Sequence, residues 1–143
     1  MASTFLRAQR ALRSRFDEFR LAVQRENRTA AEIALDDFEK HFRSWTEAEE
    51  RALMPALMRA GLAGRDVKRE LRLEYVQIRE LTRWVLQQLR DGTRLTDLAG
   101  YIDNLERRLS AHEREMQHVY YPAAERTLTS DERTELESSA PSD

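Results

Sequence analysis

The chain has 143 residues, 41% of them hydrophobic, with 24 basic and 26 acidic side chains and no cysteine. That length lets one domain bury a core unaided. The missing cysteines exclude disulfides, iron–sulfur clusters and thiolate metal sites. Near-balanced charge argues against a nucleic-acid partner, and no apolar run approaches the roughly 18 residues that span a membrane. With no signal-like opening segment, a cytoplasmic protein is expected. Only four glycines and three prolines in so charged a chain favour helix.

Breakers divide the chain into four periodic stretches. The first carries Phe5, Gln9, Leu12, Phe16, Phe19 and Val23, and ends near Asn27. Thr29 followed by Glu32 has the spacing of a capping box and predicts the start of the second. There the stripe is Leu35, Phe38, Phe42, Trp45, Glu49 and Ala52, stopped by Gly61-Leu62-Ala63-Gly64. The third runs Leu71, Tyr75, Ile78, Thr82, Val85 and Leu89, to Asp91-Gly92. The fourth runs Leu98, Ile102, Leu105, Leu109, His112, Met116, Val119 and Ala123. Steps of three and four place each set on one helix face. Four such helices with short connections predict an all-α, antiparallel up-down four-helix bundle. The bundle is expected over residues 1–126. From 127 to 143 five acids stand against Arg133 alone, which predicts an acidic, largely flexible tail with at most one helical turn at Ser130–Arg133.

The two halves repeat. Trp45, Glu49 and Pro55 recur 67 residues later as His112, Met116 and Pro122, and Gln9, Leu12, Phe16 and Phe19 recur 66 residues later as Tyr75, Ile78, Thr82 and Val85. Two related helical hairpins facing each other are implied. Proline inside a helix costs about 3 kcal/mol, so the second and fourth helices are expected to bend or loosen at Pro55 and Pro122. The polar side chains Gln9, Glu49 and His112 fall where the period demands apolar ones. Trp45, Tyr75 and Met116 hold the matching positions, and the repeat brings all six to one level of the interior. A carboxylate there must be paired, protonated or metal-bound.

Trp45-Thr46-Glu47-Ala48-Glu49-Glu50-Arg51-Ala52-Leu53-Met54-Pro55-Ala56-Leu57 resembles the H-F-x-x-E-E-x-x-L-F-P-x-L pattern of hemerythrin-like (HHE) domains. His112 to Pro122 is similar to its second copy, Gln9-Arg10-Ala11-Leu12 to its H-x-x-L, and Glu74-Tyr75 stands where E-H is usual. Leu128 to Arg133 is like the segment that often follows the domain. The resemblance implies a bundle holding two non-haem irons on several histidines and two bridging carboxylates. By it, Glu49 and His112 are residual metal-ligand positions, whereas Gln9, Trp45 and Tyr75 replace histidines and Met116 replaces the second carboxylate. Arg79 adds a cation one turn after Tyr75. Indole and amide are poor iron ligands, so a di-iron centre is not expected.

Several readings of the centre follow. In one, the aromatics and Met116 merely fill volume and Glu49 hydrogen-bonds His112. In another, a small ligand or haem occupies the core, haem being held through His112 with Tyr75, Trp45, Met116 and Gln9 around it. A single iron or zinc on Glu49, His112 and Tyr75 ranks behind haem. In a third class the bundle is a metal-free interaction or scaffold module, either a homodimer or the binder of a regulatory protein partner, and Leu53, Met54, Leu57, Met58 and Leu62 offer a contact surface. His41 and His118 lie beside the stripes and are expected to be partly exposed. No nucleophile–base pair, phosphate loop or acid pair supports an enzyme.

Overall fold

A computed structural model of the chain describes residues 2–62 and 65–142. Helices α1 (Ala2–Gln24) and α2 (Arg28–Ala48) form one antiparallel hairpin. A π turn over Glu49–Leu53 continues α2 into α3 (Met54–Ala60). Helices α4 (Val67–Arg90) and α5 (Leu95–Glu115) form the second hairpin, and a π turn over Met116–Tyr120 leads into α6 (Tyr121–Glu125). The chain closes with α7 (Ser130–Ser139). The predicted up-down bundle of hairpins is the observed architecture, with every described regular element helical. None of these helices is long and apolar enough to cross a membrane.

The core is the set of stripes. Phe16 packs edge-on against Phe38 at 5.3 Å and Phe38 stacks on Phe42 at 5.6 Å, so an aromatic ladder joins α1 to α2 and climbs towards the bundle centre. Helix ends follow local chemistry. Glu26 takes a left-handed φ of +55°, and the Asn27 side chain then accepts the Ala30 N–H at 3.0 Å. Helix α2 therefore opens at Arg28, ahead of the expected Thr29–Glu32 box. The box that does form is Thr129 with Glu132, at the head of α7. Gly61 ends α3 at φ +64°, a conformation that costs glycine nothing. Ala63 and Gly64, also expected in that breaker, lie outside the described residues. Arg28 reaches across to cap the C-terminus of α4, donating to the carbonyl oxygens of Leu89 at 3.1 Å, Gln88 at 3.4 Å and Thr93.

Both prolines loosen their helices in one particular way. A proline ring meets the carbonyl four residues back and offers it no N–H. Here the backbone widens just before it, so that the Met54 N–H bonds to Glu49 O and the Tyr121 N–H to Met116 O, five residues apart. The two π turns sit 67 residues apart, as the repeat requires. Each takes up about one extra residue and rotates everything after it. That rotation corrects one expectation: Leu53, Met54 and Leu57 are buried core, and only Met58, 62% exposed, stands clear, with Leu62 half-buried.

Where a flexible acidic tail is expected, the structure has ten residues of docked helix. Leu136, the sole apolar residue of α7, is fully buried against the Glu49–Leu53 π turn and α2. Arginines absorb the acids: Arg51 binds Glu135 at 2.7 Å, and Arg59 binds Glu132 and the Thr127 carbonyl. Arg15 of α1 donates to the Ser142 carbonyl at 2.8 Å. If α7 belongs to the folded unit, Leu136→Ala lowers unfolding stability in urea by about 2–3 kcal/mol. A loss under about 0.5 kcal/mol, the size of an ordinary surface effect, would return this segment to a solvated tail.

Candidate functional site

Glu49, the first residue of the π turn, is 1% exposed among apolar neighbours. Its two oxygens are shared between two phenols. Tyr75 of α4 donates to Oε1 at 3.3 Å and Tyr121 of α6 to Oε2 at 2.9 Å. The Trp45 indole N–H donates to the Tyr121 hydroxyl at 3.4 Å. The Tyr121 ring is held flat against Phe5 of α1, centroids 4.0 Å apart and planes within 3°. Donor follows donor, from Trp45 to Tyr121 to the carboxylate, with Tyr75 closing the other side.

His112 takes a different partner from the one expected. Its Nδ1 lies 2.7 Å from Glu74 Oε1, at the half-exposed edge between α4 and α5, and no hydrogen bond joins it to Glu49. The reason is packing. The imidazole stands edge-on to Tyr75 at 5.5 Å and to Phe42 at 6.2 Å, and the phenols already fill the near side of the carboxylate. Gln9 also turns to its neighbours: Nε2 donates to the Glu113 carbonyl at 3.3 Å and Oε1 accepts from Gln117 at 2.6 Å. Trp45 and Met116 are buried, 2% and 0% exposed. The structure thus brings Glu49, Tyr75 and Trp45 into one hydrogen-bonded cluster, with Tyr121 added, while His112 and Gln9 border it. His41 is half-buried and His118 exposed.

Between these groups lies a cavity of about 20 Å³, bordered by Gln9, Leu12, Trp45, Glu49, His112 and Tyr121. On the α1–α5 side Arg13 closes it, bound to Glu106 at 2.6 Å, to Ser110 at 3.0 Å and to Glu113. Burial pushes the Glu49 carboxyl up to about 7, against the downward pull of His112 and the two phenol donors. Burial, with the Glu49 charge beside them, raises both Tyr75 and Tyr121 well above the usual phenol range, so each stays a donor.

A family model for the hemerythrin HHE cation binding domain matches residues 1–124. The chain belongs to the hemerythrin HHE family. No curated protein and no solved structure matches it. Membership brings the bundle and the coarse expectation of cation or small-ligand binding. The residues present do not fit two irons. No group of three or more His, Cys, Asp or Glu side chains able to hold a metal occurs among the described residues. Each oxygen of the remaining carboxylate already accepts from a phenol, and Trp45 and Met116 take up interior volume.

Tyr121 and Glu74 were not singled out as site residues by periodicity. Tyr121 lies off the fourth stripe and reaches the centre only because the π turn advances the register. Glu74 stands beside Tyr75 in the sequence, but its hold on His112 needs α4 and α5 packed together.

A titration follows from the Glu49 environment. The folded carboxyl binds its proton more tightly than an unfolded one, whose ordinary value is 4.5. Stability is therefore unaffected below that value, falls as the pH rises towards 7, and above 7 is lower by roughly 3 kcal/mol. Urea unfolding between pH 4 and pH 8 should show this fall, and Glu49→Gln should abolish it. A slope unchanged in the variant would assign the effect elsewhere.

Proposed function

We propose that this hemerythrin-like bundle is a small-ligand-binding or sensory protein that works without a di-iron centre, its ligand position being the cavity beside Glu49 and His112. The observation that carries the reading is a small, mostly apolar and partly enclosed space of about 20 Å³, with Gln9, Glu49 and His112 on its wall, at the level where the family places its metals. A water needs about 10–15 Å³, so the ligand is no larger than a diatomic molecule. A groove of about 370 Å³ on the outside of α1 and α6 shares Gln9 and Tyr121 with the cavity. Those two side chains form the wall a ligand must pass, and the Gln9–Gln117 bond lies beside it. Glu49 opens the π turn on which α7 docks, which links the centre to the surface.

Haem on His112 would need several hundred Å³, and the bundle would have to part to take it. A single iron or zinc on Glu49 and His112 is the second reading. One observation favours it: Glu74 anchors His112 Nδ1, the kind of support that metal-binding histidines receive, and leaves Nε2 for a ligand.

Metal analysis and absorption spectra of the purified protein, before and after adding haem, ferric iron or zinc, separate these readings. The expected result is no oxo-bridge band and no Soret band that depends on His112. Dissolved nitric oxide should shift the Trp45 indole N–H resonance, and Leu12→Phe, which fills the cavity, should remove the shift. A Soret band lost in His112→Ala would establish haem instead. Two irons per chain would overturn the proposal. Silence towards every probe would leave the metal-free interaction module.

A further inference from the structure

Helix α4 carries a second stripe, on the side turned away from the core: Arg69, Leu73, Val76 and Glu80, at spacings of four, three and four. Leu73 is 55% and Val76 46% exposed, two aliphatic side chains side by side with no place in the bundle. Their flanking charges are also idle. The neighbouring Arg72 pairs with Glu50 and Arg83 with Glu39, whereas neither Arg69 nor Glu80 has an ion-pair partner among the described residues. An open groove of about 560 Å³ runs along the same stretch, from Asp66 to Val76.

The order of these residues is informative. Read forwards the stripe is base, aliphatic, aliphatic, acid; read backwards it is acid, aliphatic, aliphatic, base, at the same spacings. A surface that binds itself about a twofold axis must be complementary to its own reversal. The three-four spacing is also that of a helix seam. With the axis between positions 74 and 75, Leu73 meets Val76 of the partner subunit and Arg69 meets Glu80 of the partner subunit. Each contact occurs twice. Four residues further along the stripe, Trp84 is 41% exposed and packs at a tilt against Tyr101 of α5, ring centroids 4.4 Å apart. A partner of uniform charge would satisfy only one of Arg69 and Glu80. A second copy satisfies both.

We propose that the chain pairs with itself, antiparallel, through the outer face of α4, with Leu73 and Val76 at the axis and Arg69 and Glu80 as reciprocal ion pairs. The inference does not depend on what the bundle centre binds.

Sedimentation equilibrium of the full chain, from low micromolar to near-millimolar concentration, tests it. The mass should rise from 16.8 kDa towards twice that value. Arg69→Glu and Glu80→Arg each place two like-charge contacts across the axis, and each should weaken dimerisation roughly tenfold or more. The double variant, with the charges exchanged, should regain the wild-type dissociation constant within about threefold. Both positions of change are exposed, so helicity and the thermal midpoint of the monomer serve as the folding control. A chain that stays monomeric throughout overturns the proposal. So does a dimer indifferent to the single changes, or one that the double change fails to restore.

Discussion

The interior of this bundle is organised around one carboxylate that has nowhere to send its charge. Glu49 is buried at the start of a helix distortion, and an ionised carboxylate in such a place costs several kcal/mol unless it is hydrogen-bonded. Two phenols meet that need, one on each oxygen, and an indole supports one of them. The three donors come from α2, α4 and α6, with Phe5 of α1 clamping the Tyr121 ring. Satisfying a single side chain therefore fixes the relative positions of four helices, which a wholly apolar core would do less specifically.

The π turns are what make this cluster possible. A regular helix would leave Tyr121 beside the stripe and would drive Pro55 and Pro122 into the carbonyls before them. Widening each turn relieves the proline and rotates the following segment, so that Leu53 and Leu57 enter the core after the first turn and Tyr120 and Tyr121 after the second. One local device thus settles a backbone conflict and aims a site residue. It also extends the site outwards, because α7 rests on the first π turn through Leu136.

Periodicity made the helices, their order and most of the core legible, since a stripe of three and four steps has few other solutions. The site was less legible, for reasons visible in particular residues. Glu49, Tyr75 and Trp45 could be found because they interrupt or occupy stripes. Tyr121 could not, because the register change that delivers it is a backbone event with no side-chain pattern of its own. The pairing of His112 with Glu74 instead of Glu49 was hidden for another reason: it depends on how closely α4 and α5 approach. Helix α7 has one apolar residue among ten, so its docking leaves almost no periodic trace and rests on arginines placed by distant helices.

The asymmetry between the two halves of the repeat explains how neutral donors can satisfy the buried carboxylate. The repeat pairs Glu49 with Met116 and Trp45 with His112. Two carboxylates at one buried level repel each other, and with no cation between them at least one must be protonated. Replacing the second by Met116 removes that repulsion and leaves one charge to satisfy. Satisfying one carboxylate takes two neutral donors, and Tyr75, where the resemblance to the family's motif puts a histidine, supplies the first. Tyr121, brought in by the second π turn, supplies the other. The donors stay neutral because burial and the adjacent carboxylate both oppose their ionisation. A proton-bearing pair of phenols therefore does for Glu49 what a pair of cations does in the family pattern, at far lower demand for charged ligands.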